Sequence, residues 1–320
     1  MADTRTPRFG WIGLGNMGLA MSKNLQKHLS QKGAHALCYT NRTISRGEPL
    51  EALGGTPLTS VAEVVKVSDV VFISISADSV LEGIITEILE SGSITGKIIV
   101  DTSTVHPDTS NGASTKIVQA GGSFVAAPVF GATPVAEQGK LLFALGGPSA
   151  AIDVITPYID GVLARAVIRT GEEAASAATL KTLGNFLTAG MHLIISSAYT
   201  VTEKSGMDAS VLSSLITENY GPYAASISDR LTSGAYLPPR GAKPVSDLEL
   251  ALKDVGHGIT CAKDVGVKLD VAELVMELLG EAQSFGIAEQ RSLDSTSVYG
   301  ALRQRAGLEF ESDVVKKRDG

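Results

Sequence analysis

The stretch FGWIGLGNMGLAMSKNL, residues 9–25, joins an apolar run to a helix-like run through three glycines. Gly13, Gly15 and Gly18 form a GxGxxG pattern between the predicted strand and the predicted helix. The first glycine allows a tight turn, the second lets the backbone approach a pyrophosphate, and the third lets helix and strand pack closely. The helix N-terminus offers unpaired N–H groups to phosphates. A purely structural turn is the alternative interpretation. The predicted cofactor loop also includes Leu14, Asn16 and Met17.

Short β-rich runs alternate with helix-like runs through the first half of the chain. The predicted strands are FGWIGL (9–14), HALCYT (35–40), VVFISI (70–75), KIIVD (97–101), SFVAA (123–127), LLFALG (141–146) and AVIRT (166–170). Helix-like stretches such as 19–31 and 79–90 lie between them. Continuous apolar strands separated by helices are typical of a parallel sheet covered on both faces. The pattern predicts a doubly wound α/β domain.

After Gly171 the pattern changes to long helical periods. The predicted helices cover residues 172–205, 208–218, 245–269, 271–285 and 297–304. We predict a boundary near residue 168, with a nucleotide-binding domain at 1–168 and an all-helical domain at 169–320. The charged end, DVVKKRDG, is expected to be frayed.

Composition narrows the class of protein. The chain has 320 residues, 44% of them hydrophobic, which is enough to build buried cores. The net charge of -7 gives no broad basic field, so we expect neither a nucleic-acid nor a membrane partner.

Cys38 and Cys261 form neither a disulfide framework nor a cluster of metal ligands, so we expect no metal and a cytoplasmic location, with mitochondria as the alternative. The start, MADTRTPR, is a poor signal or transit peptide and is expected to be a short flexible tail.

The second predicted strand ends at Tyr39-Thr40-Asn41-Arg42-Thr43, where the adenosine ribose of a dinucleotide is expected. NAD sites usually place an acidic residue there to bind both ribose hydroxyls. An arginine fork with hydroxyl and amide donors suits a 2′-phosphate instead. We therefore predict NADP, with NADPH preferred over NADH, bound by Asn41, Arg42 and Thr43. A solvated loop arginine is the alternative.

Four further motifs occur in order along the chain. Residues 101–107, DTSTVHP, resemble a DxSTxxP element, and FVAAPVFGATPVAEQGKL (124–141) resembles an APVxG…A…G-L element. Lys181 and Asn185 match a catalytic lysine and asparagine, and Lys253-Asp254 matches a KD pair. With the glycine run, these motifs resemble the β-hydroxyacid dehydrogenase family from Phe9 to about Leu308. That family includes 3-hydroxyisobutyrate, tartronate-semialdehyde and succinic-semialdehyde reductases.

The resemblance implies a 6-phosphogluconate dehydrogenase-like architecture, with a doubly wound Rossmann domain followed by an all-α domain. It implies a nicotinamide-dependent oxidoreductase that interconverts a small aldehyde or ketone and the corresponding hydroxy compound. Members of the family are dimers or tetramers, so we expect a homodimer formed through the helical domain.

Lys181 is the one formally charged residue in an otherwise uncharged stretch, residues 174–200. Hydride transfer to a carbonyl leaves negative charge on oxygen, so the site needs a proton donor or a fixed positive charge. A lysine in apolar surroundings can supply both. We predict Lys181 as the general acid and base, with Asn185 on the same helical face orienting the ammonium or the substrate oxygen. Extension of the lysine to solvent is the alternative.

The resemblance also assigns the other candidate residues. Ser103 would hydrogen-bond the substrate and Thr104 would contact the cofactor, although a serine-threonine helix cap is also open. His106 is interpreted as a loop histidine. Lys253 would approach the cofactor from the helical domain, with an ordinary surface ion pair as the alternative. Backbone contact with the cofactor is further expected at Ser76 and Ala77.

The predicted substrate-binding element departs from the family pattern. The family commonly has Pro-Val-Ser-Gly-Gly where this chain has Pro128-Val129-Phe130-Gly131-Ala132. Phe130 lacks the hydroxyl that a carboxylate would use, Ala132 adds a methyl group, and Gly131 still permits one backbone donor. Elsewhere, Gly171-Glu172-Glu173 replaces Gly-x-Gly, and Gly184-Asn185 replaces Asn-Asn. We expect specificity to have moved towards a less acidic, bulkier or more apolar carbonyl compound.

Two other functions remain open. Imine reductases resemble this fold but usually have aspartate or tyrosine at the position of Lys181, so the lysine favours carbonyl chemistry with imine reduction as a side activity. A sensor or scaffold that binds NADP without turnover is the non-enzymatic alternative.

Overall fold

The computed structural model describes residues 6–320 and divides the chain into two units between Lys181 and Thr182. The first five residues of the predicted tail lie outside the described residues. Within residues 6–320, no helix combines the length and the hydropathy that crossing a bilayer requires.

The first unit contains one mixed sheet. Its strands are β1 (Phe9–Ile12), β2 (Cys38–Thr40), β3 (Thr56–Pro57), β4 (Val70–Ile73), β5 (Ile98–Asp101), β6 (Ser123–Ala126), β7 (Val129–Phe130), β8 (Leu141–Gly146) and β9 (Ala164–Gly171). The strand order is β3-β2-β1-β4-β5-β6-β8-β7, with β9 paired to β8. The first six strands are parallel, as predicted. The order reverses between β1 and β4, and ligands of open α/β sheets bind at the strand ends beside such a reversal.

The far side of the sheet is not parallel throughout. Strand β8 runs antiparallel to β6 and β7, and β9 runs parallel to β8. The short strands β3 and β7 were not predicted, because two residues are too few to give a periodic pattern.

Helices cover both faces of the sheet. Those of the first unit are α1 (Asn16–Gln31), α2 (Glu48–Glu51), α3 (Val61–Val67), α4 (Asp78–Glu90), α5 (Pro107–Gln119), α6 (Thr133–Glu137) and α7 (Ser149–Ile159). Alternate residues of β4 enter different buried clusters, with Val70 and Phe72 on one face and Val71 and Ile73 on the other. Such alternation requires a sheet that is buried on both faces, which confirms the predicted doubly wound domain.

The helix α8 (Ala174–Ser205) carries the chain from the first unit into the second. The boundary predicted near residue 168 lies inside β9, which is paired along its length to β8. Ala174 and Ala177, in the first turn of α8, also belong to a buried cluster of the sheet domain. The helical pattern therefore begins before the first unit ends.

The second unit is helical, as predicted. After α8 it contains α9 (Ala209–Thr232), α10 (Leu248–Asp264), α11 (Asp270–Ala288), α12 (Val298–Arg305) and α13 (Asp313–Asp319). Helix α9 continues well past the predicted end near residue 218, with a break at Gly221, whose φ of 78° precedes Pro222. The prediction of a frayed C-terminus is wrong for residues 313–319: Val315 is fully buried, and Asp319 lies 2.7 Å from the Arg291 guanidinium.

Candidate active site

The glycine loop joins β1 to α1 at the reversal of strand order. Gly13 has φ +95°, and a Cβ there would lie 2.2 Å from the carbonyl oxygen of Ser74. A Cβ on Gly18 would lie 2.3 Å from the carbonyl oxygen of Gly13. A Cβ on Gly15 would instead meet nothing within 4 Å. The first and third glycines therefore allow tight packing within the protein, whereas the second leaves open space in which a pyrophosphate can approach the backbone.

Two side chains stabilise this loop by hydrogen bonds to its backbone. The indole N–H of Trp11, which sequence reasoning missed, donates to the Gly13 carbonyl at 3.0 Å. The Asn41 side-chain oxygen accepts the Leu14 N–H at 2.8 Å, and its amide donates to the Thr43 carbonyl at 2.7 Å. Leu14 is fully buried, so its side chain belongs to the core. The amide donors left for a phosphate are those of the first turn of α1, which includes Asn16, Met17 and Gly18.

The loop after β2 brings a second arginine to the glycine loop. Arg42 and Thr43 are exposed at the end of β2, where a 2′-phosphate is expected. The Arg46 guanidinium, four residues further on, donates to the Asn16 side-chain oxygen at 3.3 Å. Sequence reasoning missed Arg46 because the intervening 3-10 turn, Ile44–Gly47, brings it back to the loop.

The ends of β4 and β5 are joined through Ser103. Its hydroxyl oxygen accepts the Ile75 N–H at 3.0 Å, and its own N–H donates to the Asp101 carboxylate at 3.0 Å. Because the hydroxyl accepts from Ile75, its hydrogen points elsewhere and can be donated. Asp101 is buried and orders the turn. Beside this turn, Thr104 is partly buried, Ser76 is exposed, and Ala77 is the N-cap of α4.

The cap of α5 is His106, not a serine or threonine. Its imidazole Nδ1 accepts the Asp108 N–H at 3.3 Å, and its backbone N–H donates to the Asp78 carboxylate at 2.7 Å. Asp78 also accepts from the Thr109 hydroxyl at 2.8 Å. His106 thus has a structural role at the start of α5.

Phe130 and Lys181 lie together in the first unit. The Lys181 Nζ is 4.8 Å from the centroid of the Phe130 ring. Phe130 ends β7 and is followed by Gly131, whose φ is +127°, and by Ala132, the N-cap of α6. The substrate element predicted from sequence and the candidate proton donor are therefore neighbours.

The other predicted residues form a cluster in the second unit. The Asn185 amide donates to the Asp254 carboxylate at 2.8 Å, and the Lys253 Nζ lies 2.9 Å from the other oxygen of the same carboxylate. All three side chains are partly buried. Asp254 thus joins α8 to α10.

Glu172, one of the departures from the family pattern, has a partner of its own. Its carboxylate accepts from the Ser149 backbone N–H at 3.1 Å and from the Ser149 hydroxyl. These two hydrogen bonds lower the pKa of the exposed Glu172 carboxyl. The replacement therefore adds a carboxylate at the N-terminus of α7, where negative charge is favoured.

The reversed strand order, the three glycines and the arginines beside them define a class: dinucleotide-binding α/β proteins. Residues 8–171 match the family model for the NAD-binding domain of 6-phosphogluconate dehydrogenase. Residues 175–302 match the model described as NAD-binding of NADP-dependent 3-hydroxyisobutyrate dehydrogenase. Together the two models span nearly the whole chain and identify two NAD(P)-binding domains.

Relatives cover the same length. The NADH-dependent oxidoreductase ucdB of Aspergillus ustus is 30% identical over 92% of this chain and 99% of its own. Glyoxylate/succinic semialdehyde reductase 1 of Arabidopsis thaliana is 27% identical over 92% of this chain and 98% of its own. The solved 3-hydroxyisobutyrate dehydrogenase of Mycobacterium tuberculosis, 22% identical, superposes with a TM-score of 0.77 over 93% of this chain and 99% of its own, which establishes the shared fold. The chain belongs to the β-hydroxyacid dehydrogenase family of oxidoreductases.

Proposed function

We propose that this protein is an NADPH-dependent reductase that interconverts a small, semialdehyde-like aldehyde or ketone and the corresponding hydroxy compound, a β-hydroxy acid where the substrate carries a carboxylate. The observation that carries the proposal is the Lys181 ammonium, which lies against the Phe130 ring at the substrate element of a dinucleotide-binding domain. Lys181 is the candidate that the chemistry requires, because a carbonyl that receives hydride must also receive a proton.

The glycine loop fits a dinucleotide, because the space above Gly15 is open and the first turn of α1 provides amide donors. A bound nicotinamide supplies the hydride. Lys181 donates a proton from Nζ to the carbonyl oxygen, and in the reverse direction it accepts the proton from the hydroxyl group. Ser103 donates its hydroxyl hydrogen to the same oxygen while Ile75 N–H fixes the position of its Oγ. In the second unit, Asp254 fixes the amide of Asn185 and the ammonium of Lys253.

The preference for NADPH rests on Arg42, Thr43 and Arg46. No acidic residue stands in the run from Tyr39 to Arg46, so nothing there would repel a 2′-phosphate. The guanidinium groups of Arg42 and Arg46 are exposed at this end of the glycine loop and can bind a 2′-phosphate with charge-assisted hydrogen bonds.

We further propose a homodimer formed through the helical unit. Leu187, Ile194 and Val201 are spaced seven residues apart on one face of α8, and their side chains are 62%, 66% and 68% exposed. Val211 and Leu215 add exposed apolar surface on α9. Apolar stripes of this kind on soluble proteins are typical of subunit interfaces.

The experiment that tests the reductase follows NADPH consumption with semialdehydes, glyoxylate, uncharged aldehydes, ketones and cyclic imines. We expect turnover of at least one carbonyl compound, and a loss of at least ~10²-fold in kcat/KM for Lys181→Ala. Lys204→Ala is the matched control, since Lys204 is exposed on the same helix. NADPH binding with no turnover of any compound would contradict the proposal and favour a sensor. Turnover of imines alone would favour an imine reductase.

A further inference from the structure

Strand pairing and apolar packing position Phe130. Phe130 pairs with Leu142 in the antiparallel ladder between β7 and β8, and its side chain packs against the same buried cluster as Leu180. Leu180 is the residue immediately before Lys181. One apolar cluster therefore positions both the ring and the start of the lysine side chain.

Gly131 restricts the backbone beside the ring. Its φ of +127° is accessible to glycine, and a Cβ there would lie 2.7 Å from the Leu141 side chain. The chain therefore turns sharply directly after Phe130, and the turn depends on the absence of a side chain.

The distance from the Lys181 Nζ to the ring centroid, 4.8 Å, is within the range of a cation–π interaction. The face of the ring is electron-rich, so it favours the ammonium over the neutral amine. The same face offers no hydrogen-bond donor, so it cannot bind a carboxylate. A phenylalanine at this position thus supports the proton donor and disfavours a charged substrate tail.

We propose that Phe130 is the positioning and specificity-determining residue of this site: its ring holds the Lys181 ammonium and selects uncharged carbonyl compounds over carboxylated ones. This inference rests on the proposed function for its selectivity, but the contact between ring and ammonium can be measured without turnover.

The first measurement detects the contact directly. The lysines are reductively methylated with ¹³C-formaldehyde and a borane reductant, and the Lys181 signal is assigned from its absence in Lys181→Arg. Methyl groups above an aromatic face are shifted upfield by the ring current, so the Lys181 signal is expected upfield of that of Lys204. In Phe130→Leu it should move to the position of Lys204, and in Phe130→Tyr it should stay upfield. A Lys181 signal that is unchanged in Phe130→Leu overturns the positioning role.

The second measurement uses turnover of succinic semialdehyde and butanal, which have the same chain length and differ by the carboxylate. Phe130→Ser is expected to raise the ratio of kcat/KM for the semialdehyde to that for butanal by roughly 10-fold or more, because a hydroxyl can donate to the carboxylate. Phe130→Leu removes the ring without adding a donor, so the ratio should change less. An unchanged ratio in Phe130→Ser overturns the specificity role.

The pH dependence of kcat/KM distinguishes a role of Phe130 in positioning Lys181 from a role in packing alone. Loss of the ring removes a contact that favours the ammonium, so the alkaline fall in kcat/KM should move to lower pH in Phe130→Leu and remain in place in Phe130→Tyr. If wild type turns over no carbonyl compound, the proposed function fails, and the methyl signal alone decides whether Phe130 positions Lys181. If wild type is active and none of these quantities responds to Phe130, this inference fails while the proposed function stands.

Discussion

At the scale of single residues, the three glycines of one loop have different tasks. Gly13 and Gly18 face protein backbone where a methyl group would clash, whereas the missing side chain of Gly15 faces open space. The sequence pattern predicted the three positions. The contacts show which of them the fold itself needs.

Alanine at these positions should therefore separate folding from binding. We expect Gly13→Ala to lower the free energy of unfolding by about 2–4 kcal/mol, because its φ of +95° and the Ser74 carbonyl both oppose a side chain. Gly15→Ala, at φ -62°, should unfold like wild type but bind the dinucleotide roughly 10-fold more weakly. Urea denaturation of the apoprotein and fluorescence titration with NADPH measure the two effects. A Gly15→Ala variant with unaltered affinity would argue against a pyrophosphate at this loop.

The arginines after β2 should determine which cofactor is used. Arg42→Ala and Arg46→Ala are each expected to weaken NADPH binding by roughly 10-fold and to leave NADH binding nearly unchanged, because only NADPH carries the 2′-phosphate. Calorimetric titration with both cofactors makes the comparison. Equal losses for NADPH and NADH would contradict the NADP assignment, and so would a wild-type preference for NADH, the cofactor named for the Aspergillus ustus oxidoreductase.

At the scale of elements, the sequence predicted the long and periodic features. It predicted the parallel strands β1, β4 and β5 because each is a continuous apolar run, and it predicted α8 within the helical run 172–205. It missed β7, which contributes Phe130, because a two-residue strand exists only through its pairing with β8. Arg46 and the link from Asn185 to Asp254 were also missed, since both depend on tertiary contacts that no local spacing encodes.

Helix α8 also buries a histidine that should govern acid stability of the second unit. His192 is 4% exposed, and burial, followed by the charge of Arg230, lowers its pKa from 6.5 to about 3. The unfolded chain therefore binds a proton below pH 6.5 that the folded chain does not, so stability is retained above pH 6.5 and falls as the pH decreases towards 3.

We expect protonation of His192 in the unfolded chain to lower the free energy of unfolding by about 2 kcal/mol between pH 7 and pH 5. Urea denaturation at the two pH values should show a smaller loss in His192→Gln than in wild type. The exposed His35 provides the control, and His35→Gln should lose as much stability as wild type. If wild type and His192→Gln lose equal free energy of unfolding between pH 7 and pH 5, His192 is not the source of the loss.

On the helical unit, apolar side chains are exposed along α8 and α9. If the stripe on α8 is a subunit interface, wild type should have about twice the 33.2 kDa chain mass in light scattering after gel filtration. Ile194→Glu is expected to shift the mass towards that of one chain, because it introduces a charge into apolar surface. Val118→Glu, also exposed but on α5, should leave the mass unchanged. A monomeric wild type would contradict the dimer.

In the proposed reaction, Lys181 supplies the proton that accompanies hydride transfer. The most direct measurement is the single-turnover rate of nicotinamide oxidation, followed by stopped flow at saturating NADPH and carbonyl compound, across pH 6 to 10 in wild type and Lys181→Met. We expect a wild-type rate that falls at alkaline pH as the ammonium is lost, and a variant rate that is at least ~10²-fold slower and lacks this fall. A Lys181→Met variant with the rate and the pH profile of wild type would contradict it.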